Sequence, residues 1–262
     1  MHLFLSPHPD DAALSCGGTI YDLVQGGESV VVWTLMAADV PMLLPESPLV
    51  GAIHQRWQAG TNPSHLRRDE DRAALHTLGV QDIRFGNWLD CIYRTDEAGH
   101  ALYTNDDAIF GAIHPADPLH AAPFTLPSGV QVLYLPLGAG NHVDHRLVRD
   151  KALACLPVGA TVYAYEEYPY SAPTNEVYHS HSGNQERLFG SRAVQTALEQ
   201  IQPSTTLQTH QLSETALSAK IAAIACYHSQ LSTFWHGLNE MEQRVHAYAT
   251  EFGERLWLIE RR

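Results

Sequence analysis

The run Ser6-Pro7-His8-Pro9-Asp10-Asp11 sets one imidazole and two adjacent carboxylates on a tight turn between an apolar strand and a helix. A turn of this kind can hold a metal ion with His8 and one carboxylate and leave the other carboxylate free as a base. Prolines on both sides of His8 stiffen the loop, and a rigid loop aims ligands more closely than a floppy one. The plainer alternative makes Asp10 or Asp11 a helix cap and His8 a loop residue. Two adjacent acids exceed what one cap requires. A second cluster, His142-Val143-Asp144-His145, follows another apolar strand far downstream. His142 and His145 are three positions apart, so on a helix they share a face. The plainer alternative here is a pair of surface histidines at a helix start, with Asp144 a solvated first-turn charge. Catalytic zinc commonly takes three protein ligands and leaves a position for water. His8, Asp11 and His145 meet that need, and Asp10 and His142 remain for proton transfer and charge stabilisation.

The elements that must position these groups are legible around them. Leu3 to Leu5 is a buried strand ended by Pro7, Asp11 to Val24 has helical spacing with Gly26-Gly27 as its stop, and Ser29 to Met36 is strongly β-forming. Strand, helix and strand in that order read as a βαβ unit, and so as a parallel sheet with right-handed crossovers. Leu66 to Leu78 is an amphipathic helix stopped by Gly79, and Ile83 to Trp88 is the next strand. Val130 to Leu135 is a further strand, followed by a helix from about His142 to Leu156. Thr161 to Tyr165, Thr206 to Gln211 and Arg255 to Ile259 read as strands, and Ala216 to Leu231 as one helix. The expected fold is a single α/β domain over residues 1–262. It has a mostly parallel sheet, helices on both faces and long loops at the carboxyl edge, where open sheets bind ligands. The loops are residues 37–64 and 89–125, and loops of that length are commonly functional.

Composition narrows the function classes. A hydrophobic fraction of 45% and a charged fraction of 17% are those of an ordinary globular protein. The net charge of −13 argues against nucleic acid or an anionic membrane surface as partner, since both require basic patches. Sixteen histidines decide little by number alone. The four cysteines, Cys16, Cys91, Cys155 and Cys226, contain no Cys-x-x-Cys pair, so they read as free thiols in a reducing cytoplasm. The N-terminus opens into a strand without a signal-like segment, and no apolar run approaches the ~20 residues of a membrane span. A cytoplasmic protein is expected, and a homo-oligomer stays open. Gly138-Ala139-Gly140 begins like a dinucleotide fingerprint but lacks the third glycine. Neither a nucleophile elbow nor a P-loop is present.

Pro7-His8-Pro9-Asp10-Asp11 together with His142-x-x-His145 closely resembles the PIG-L/LmbE-like family of zinc-dependent N-acetylglucosamine deacetylases. The resemblance runs from Phe4 to at least Pro169 and implies a Rossmann-like fold. Arg67-Arg68-Asp69-Glu70 leading to Leu78-Gly79-Val80 looks like the family's Arg-x-x-Glu helix, Leu89-Asp90 like its substrate-binding Asp loop, and Glu166-Glu167-Tyr168-Pro169-Tyr170 like its late acidic-aromatic segment. The resemblance implies zinc, with iron(II) able to occupy the same donors, held by His8, Asp11 and His145. It implies Asp10 as general base, His142 as oxyanion stabiliser, Arg67 and Asp90 on sugar hydroxyls, and a small sugar conjugate as substrate. Asp144 either orients a histidine or is a solvated charge. Ala12 stands where the family usually has Glu, and Val143 where Pro is common, which points away from the thiol-cofactor biosynthesis enzymes. In the mechanism expected here, a protonated His142 stabilises the oxyanion. The alternatives are an amidase on a bulkier N-acyl or thiol conjugate, a non-catalytic sugar-binding relative, and a cysteine enzyme using Cys16 or Cys91.

Overall fold

The computed structural model describes residues 1–58, 60, 62–173, 189–201 and 204–260. Among them the apolar and β-branched runs form the strands β1 (His2–Ser6), β2 (Val30–Thr34), β3 (Asp82–Phe85), β4 (Val132–Pro136), β5 (Thr161–Tyr165), β6 (Thr205–His210) and β7 (Glu254–Ile259). They make one sheet in the order β3-β2-β1-β4-β5-β7-β6. The pairs β1–β2, β1–β4, β2–β3 and β4–β5 are parallel, while β7 runs antiparallel to both β5 and β6. The helices are α1 (Asp11–Gln25), α2 (Pro48–Trp57), α3 (Pro63–Thr77), α4 (Asp106–Ile109), α5 (Val143–Ala154), α6 (Gly190–Glu199), α7 (Glu214–Ile224), α8 (His228–Phe234) and α9 (Leu238–Phe252).

Side chains alternate across the central strand, and each face finds its own helix layer. Leu3 and Leu5 belong to a core with Leu147 and Val148 of α5 and Ala193 and Val194 of α6. Phe4 belongs to the other core, with Ala12, Cys16 and Ile20 of α1 and Ala74 and Leu75 of α3. Burial on both faces explains why these strands read as continuous apolar runs, and it bears out the expected α/β architecture.

The strand order decides where chemistry can occur. From β1 the chain goes to β2 and β3 on one side and later to β4 and β5 on the other, so the topological switch lies between β1 and β4. The two are direct neighbours, with Phe4 paired to Tyr134. In open α/β sheets ligands bind in the crevice outside the carboxyl ends of the strands at such a switch. The His8 turn follows β1 and the His142 turn follows β4, so adjacency of two strands brings together motifs more than a hundred residues apart.

The long connections are packed rather than loose. Leu49, Val50 and Trp57 of the first, and Ile92, Tyr93, Tyr103 and Ile109 of the second, form a buried cluster with Val143 beside the crevice. The helix expected over Ala216–Leu231 is two helices, α7 and α8. Tyr227 leaves helical geometry between them, and its buried hydroxyl donates to Asp71 Oδ1 at 2.7 Å. That long-range bond outweighs a continuous helical pattern. Helices α6 and α9 were not anticipated in the sequence.

A candidate metal and catalytic centre

The turn after β1 is more specialised than a helix cap. Asp10 occupies the position before α1, but its side chain makes no capping hydrogen bond. Its backbone is held at φ 126°, a region that favours glycine. Such strain clusters where a side chain is needed in one orientation. The Asp10 carboxylate faces the cleft, with Arg67 Nη2 at 3.5 Å from Oδ2. Ser6 Oγ takes up the orphan donor instead: the Ala12 N–H donates to it at 3.0 Å, and it donates to the His8 carbonyl at 2.7 Å.

Asp11 is where the two motifs meet. Its Oδ2 lies 3.2 Å from His8 Nδ1 and 3.3 Å from His145 Nε2. Donors about 2.0–2.1 Å from a tetrahedral ion stand about 3.3 Å apart, so this spacing suits a shared cation. Each histidine also has its other nitrogen on a buried carboxylate. His8 Nε2 lies 2.9 Å from Asp144 Oδ2, and His145 Nδ1 lies 3.2 Å from Glu167 Oε1. Those contacts fix Nε2–H on His8 and Nδ1–H on His145, and so turn the lone pairs of His8 Nδ1 and His145 Nε2 toward Asp11. Histidines that bind metals are oriented in this way.

His142 differs from the helical-face expectation. It is the N-cap of α5 rather than part of it, and its Nδ1 accepts the Asp144 N–H at 3.2 Å. A neutral imidazole that accepts at Nδ1 carries its proton at Nε2. Ring nitrogens of His8, His142 and His145 do lie within 4.8 Å of one another. A protonated Nε2 nevertheless makes His142 a donor to the cleft and not a metal ligand. Cys91, His142 and Asp144 form another compact group, but Asp144 is occupied by Arg94, His8 and the Cys91 N–H.

Electrostatics separates the two adjacent acids. Burial raises the Asp10 carboxyl well above its ordinary value, helped by Asp11 and opposed by Arg67. Burial also pushes Asp11 up, but the imidazoles of His145 and His8 overrule it and hold that carboxyl well below the usual range. Burial lowers His8, yet Asp11, Asp144 and Asp90 outweigh it and raise the ring well above its ordinary value. A cation on Nδ1 competes with that proton. Burial, with His8 and His145 nearby, holds His142 well below its ordinary value. The expected protonated His142 is therefore corrected to a neutral ring, and a metal cation beside it would lower its pKa further.

Arg67 and Asp90 both line the cleft, and they face each other as well as the substrate space. Arg67 Nη1 is 3.5 Å from Asp90 Oδ2, Nη2 donates to the Pro9 carbonyl at 3.0 Å, and the guanidinium lies 4.6 Å from the Trp57 ring. The Asp90 side chain also accepts the Ile92 N–H. The rest of the cleft is walled by Ile53, Ile92, Ile109, Phe110, Tyr170 and Phe234. Phe110 stands edge-on to His142 at 5.2 Å. Asn141 Nδ2 fixes that wall by donating to the Phe110 carbonyl at 2.6 Å.

Of the site residues read from the sequence, all eight (His8, Asp10, Asp11, Arg67, Asp90, His142, Asp144, His145) converge on this crevice. Sequence reasoning missed Glu167 and Arg94 as supports; the Glu166-Glu167 pair just after a strand was the one visible signal. Cys16 and Cys91 are buried, and burial pushes both thiols well up. An activated thiolate needs the opposite shift, so the cysteine alternative fails.

Comparisons with known proteins identify the relatives of this chain. A family model for GlcNAc-PI de-N-acetylase (PIG-L) matches residues 3–156. The 2'-N-acetylparomamine deacetylase of Streptomyces fradiae is 27% identical over 180 residues, which covers 67% of this chain and 59% of that protein. The 1D-myo-inositol 2-acetamido-2-deoxy-alpha-D-glucopyranoside deacetylase of Mycolicibacterium smegmatis is 29% identical over 179 residues, covering 61% of this chain and 56% of that one. The chain thus spans little more than half the length of these relatives. The crystal structure of the zinc inhibited form of teicoplanin deacetylase Orf2 has a TM-score of 0.74 at 25% identity, covering 100% of this chain and 98% of that one. The family match takes in more than half of the chain, from β1 through α5 and both histidine motifs, and the chain belongs to the GlcNAc-PI de-N-acetylase (PIG-L) family.

Proposed function

We propose that this protein is a metal-dependent hydrolase that removes the N-acetyl group from a small N-acetylglucosamine-containing glycoside or sugar conjugate. The observation that carries the proposal is the convergence of His8 Nδ1 and His145 Nε2 on Asp11 Oδ2, at 3.2 and 3.3 Å, beside an Asp10 carboxylate that serves no cap. His8, Asp11 and His145 hold the cation. Zinc suits two imidazoles and a carboxylate, and iron(II) accepts the same donors. When bound there, the ion acidifies a water to a pKa of about 7 and polarises the amide carbonyl.

The remaining work falls to side chains. Asp10 takes the proton from the attacking water. Burial raises its pKa, so the proton it gains is held well enough to be passed on. The leaving nitrogen needs one proton as the C–N bond breaks, and the proton gained by Asp10 supplies it. Neutral His142 donates its Nε2–H to the oxyanion as charge develops on the former carbonyl oxygen. Arg67 stays charged beside Asp10 and Asp90 and holds both carboxylates at the cleft wall. With Asp90 it offers donors and acceptors to sugar hydroxyls, and the Trp57, Phe110 and Tyr170 rings offer faces to the sugar ring.

A purely binding relative has no use for an acid held at φ 126° without a capping role. All strands of the described residues share one sheet, which supports taking 1–262 as one deacetylase domain. No helix among them is long and apolar enough to cross a membrane. Four free cysteines suit a reducing cytoplasm.

The experiment is a screen of N-acetylglucosamine glycosides with varied aglycones, reading free amine, on protein of known metal content. Amine release that stops on chelation and returns with zinc is expected. Protein that binds no divalent ion, or turnover indifferent to chelation, refutes the proposal.

A further inference from the structure

Beneath the centre lies a row of buried charge that the chemistry above does not use. Arg94 is 2% exposed and follows the turn that carries Asp90. Its Nε donates to Asp117 Oδ2 at 3.0 Å and its Nη1 to the Leu89 carbonyl at 2.9 Å. Its Nη2 lies 3.0 Å from Asp117 Oδ2 and 2.5 Å from Asp144 Oδ1. This last pair is an ion contact rather than a hydrogen bond, and neither atom has a hydrogen-bond partner. Asp117 in turn accepts the Tyr103 hydroxyl at 2.7 Å and the Leu119 N–H at 2.9 Å. The Tyr103 oxygen accepts the His114 N–H at 3.0 Å. On the other side, Asp144 Oδ2 accepts the Cys91 N–H and faces His8 Nε2, both at 2.9 Å.

We propose that Arg94 and Asp117 are positioning residues for the metal centre: through Asp144 they hold His8 as the Nε2–H tautomer, and so set the affinity of the site for its ion. Asp144 has two oxygens and two duties. With Oδ1 pinned by the Arg94 guanidinium, Oδ2 can lie only toward Cys91 and His8. Without that pin the Cys91 N–H alone holds the carboxylate against turning about its terminal torsion, and His8 Nε2 loses its fixed acceptor. The planar guanidinium is the part that matters. Its fork reaches Asp117, the Leu89 carbonyl and Asp144 at once, which a lysine ammonium cannot do from one point. Arg94 and Asp117 thereby act on the centre without touching substrate. The inference rests on His8 as a ligand, as in the proposed function, and not on which amide is cleaved.

The test uses the full chain and three variants. Arg94→Lys keeps the charge and loses the fork. Asp117→Asn keeps the shape and loosens the anchor of Arg94. Lys220→Met breaks the buried Lys220–Glu254 pair, 2.7 Å long and not part of the cleft lining, and reports what loss of a buried ion pair does to stability alone. Zinc affinity is read by competition with a chromophoric chelator, and the His8 tautomer by 15N shifts of the imidazole in metal-free protein, at a pH high enough to leave that ring neutral. Arg94→Lys should weaken zinc about 10- to 100-fold and mix the His8 tautomers. Asp117→Asn should do the same to a smaller degree. In both, kcat should fall and KM stay constant. Lys220→Met should lower the melting temperature with zinc affinity unchanged. Wild-type zinc affinity and a single His8 tautomer in folded Arg94→Lys and Asp117→Asn overturn the inference, whatever the enzyme cleaves. Shifted affinity and tautomer in a protein that releases no amine keep it and overturn the deacetylase proposal.

Discussion

Glu167 offers the sharpest quantitative test of how the centre is held. Its carboxylate is fully buried, and three donors converge on it. The Gly138 N–H donates to Oε1 at 2.6 Å, the Ala139 N–H to Oε2 at 3.0 Å, and His145 Nδ1 lies 3.2 Å from Oε1. In Glu167→Gln one acceptor becomes an NH2 group, which must face a donor on either side. With the amide oxygen at the Oε1 place, only the Ala139 N–H is orphaned. Flipped, the Gly138 N–H and His145 both are. One buried orphan costs about 1–3 kcal/mol, so the first orientation prevails and His145 keeps a weaker, neutral acceptor. Glu167→Gln should lose about 1–3 kcal/mol of stability, a melting shift of roughly 2–10 °C, and about 10-fold in zinc affinity, the lower end for an outer partner of a metal ligand. Glu167→Ala frees all three donors and should approach a 100-fold loss, about 2.7 kcal/mol. Melting is measured with chelator present, so that metal linkage does not enter, and affinity by chelator competition. Folded Glu167→Ala with wild-type zinc affinity, or a Gln variant weaker than the Ala variant, refutes the assigned role.

Three further perturbations follow from the same geometry. Asp10→Asn should keep zinc and lose about 10²–10⁴ of turnover. Asn tolerates the positive φ of this position better than Ala does, so metal content by mass spectrometry and turnover can be compared on folded protein, and turnover within tenfold of wild type removes Asp10 as base. Gly140→Ala would set a Cβ 2.5 Å from the Tyr170 ring at φ +83°; left-handed strain and overpacking together predict a loss of about 2–5 kcal/mol, and a denaturation change under 1 kcal/mol contradicts it. Burial raises the Glu166 carboxyl from 4.5 to about 7 against Arg255 and Trp257. The folded chain then keeps a proton that the unfolded chain releases, so stability falls as pH rises from about 4.5 to about 7, by roughly 3 kcal/mol at most. Glu166→Gln should flatten the melting temperature across that window, and an unchanged slope rejects the assignment.

Legibility from sequence followed how local each signal was. The His8 turn is contiguous and stiffened by two prolines, so its role needed no knowledge of the fold. The parallel strands carry apolar runs that stay apolar because helices cover both faces, and they too could be read directly. Asp10 is harder. Its position before a helix resembles a cap, and only the backbone at φ 126° and the occupation of nearby donors by Ser6 exclude that. His142 carried the right residue type at the right spacing, but the spacing argument put it on the helix when it begins one.

Glu167, Arg94 and Asp117 were not legible as supports, because in sequence a charged residue looks solvated until the fold buries it. The residue types at the centre, and their placement after strands, were determined by the sequence alone. Which strands lie side by side, which nitrogen of each histidine keeps a lone pair, and which of two adjacent acids is held as a strong acid were decided by the tertiary structure. These properties depend on groups brought within about 3 Å from 22 to 136 positions away, and on the low dielectric that makes such contacts count.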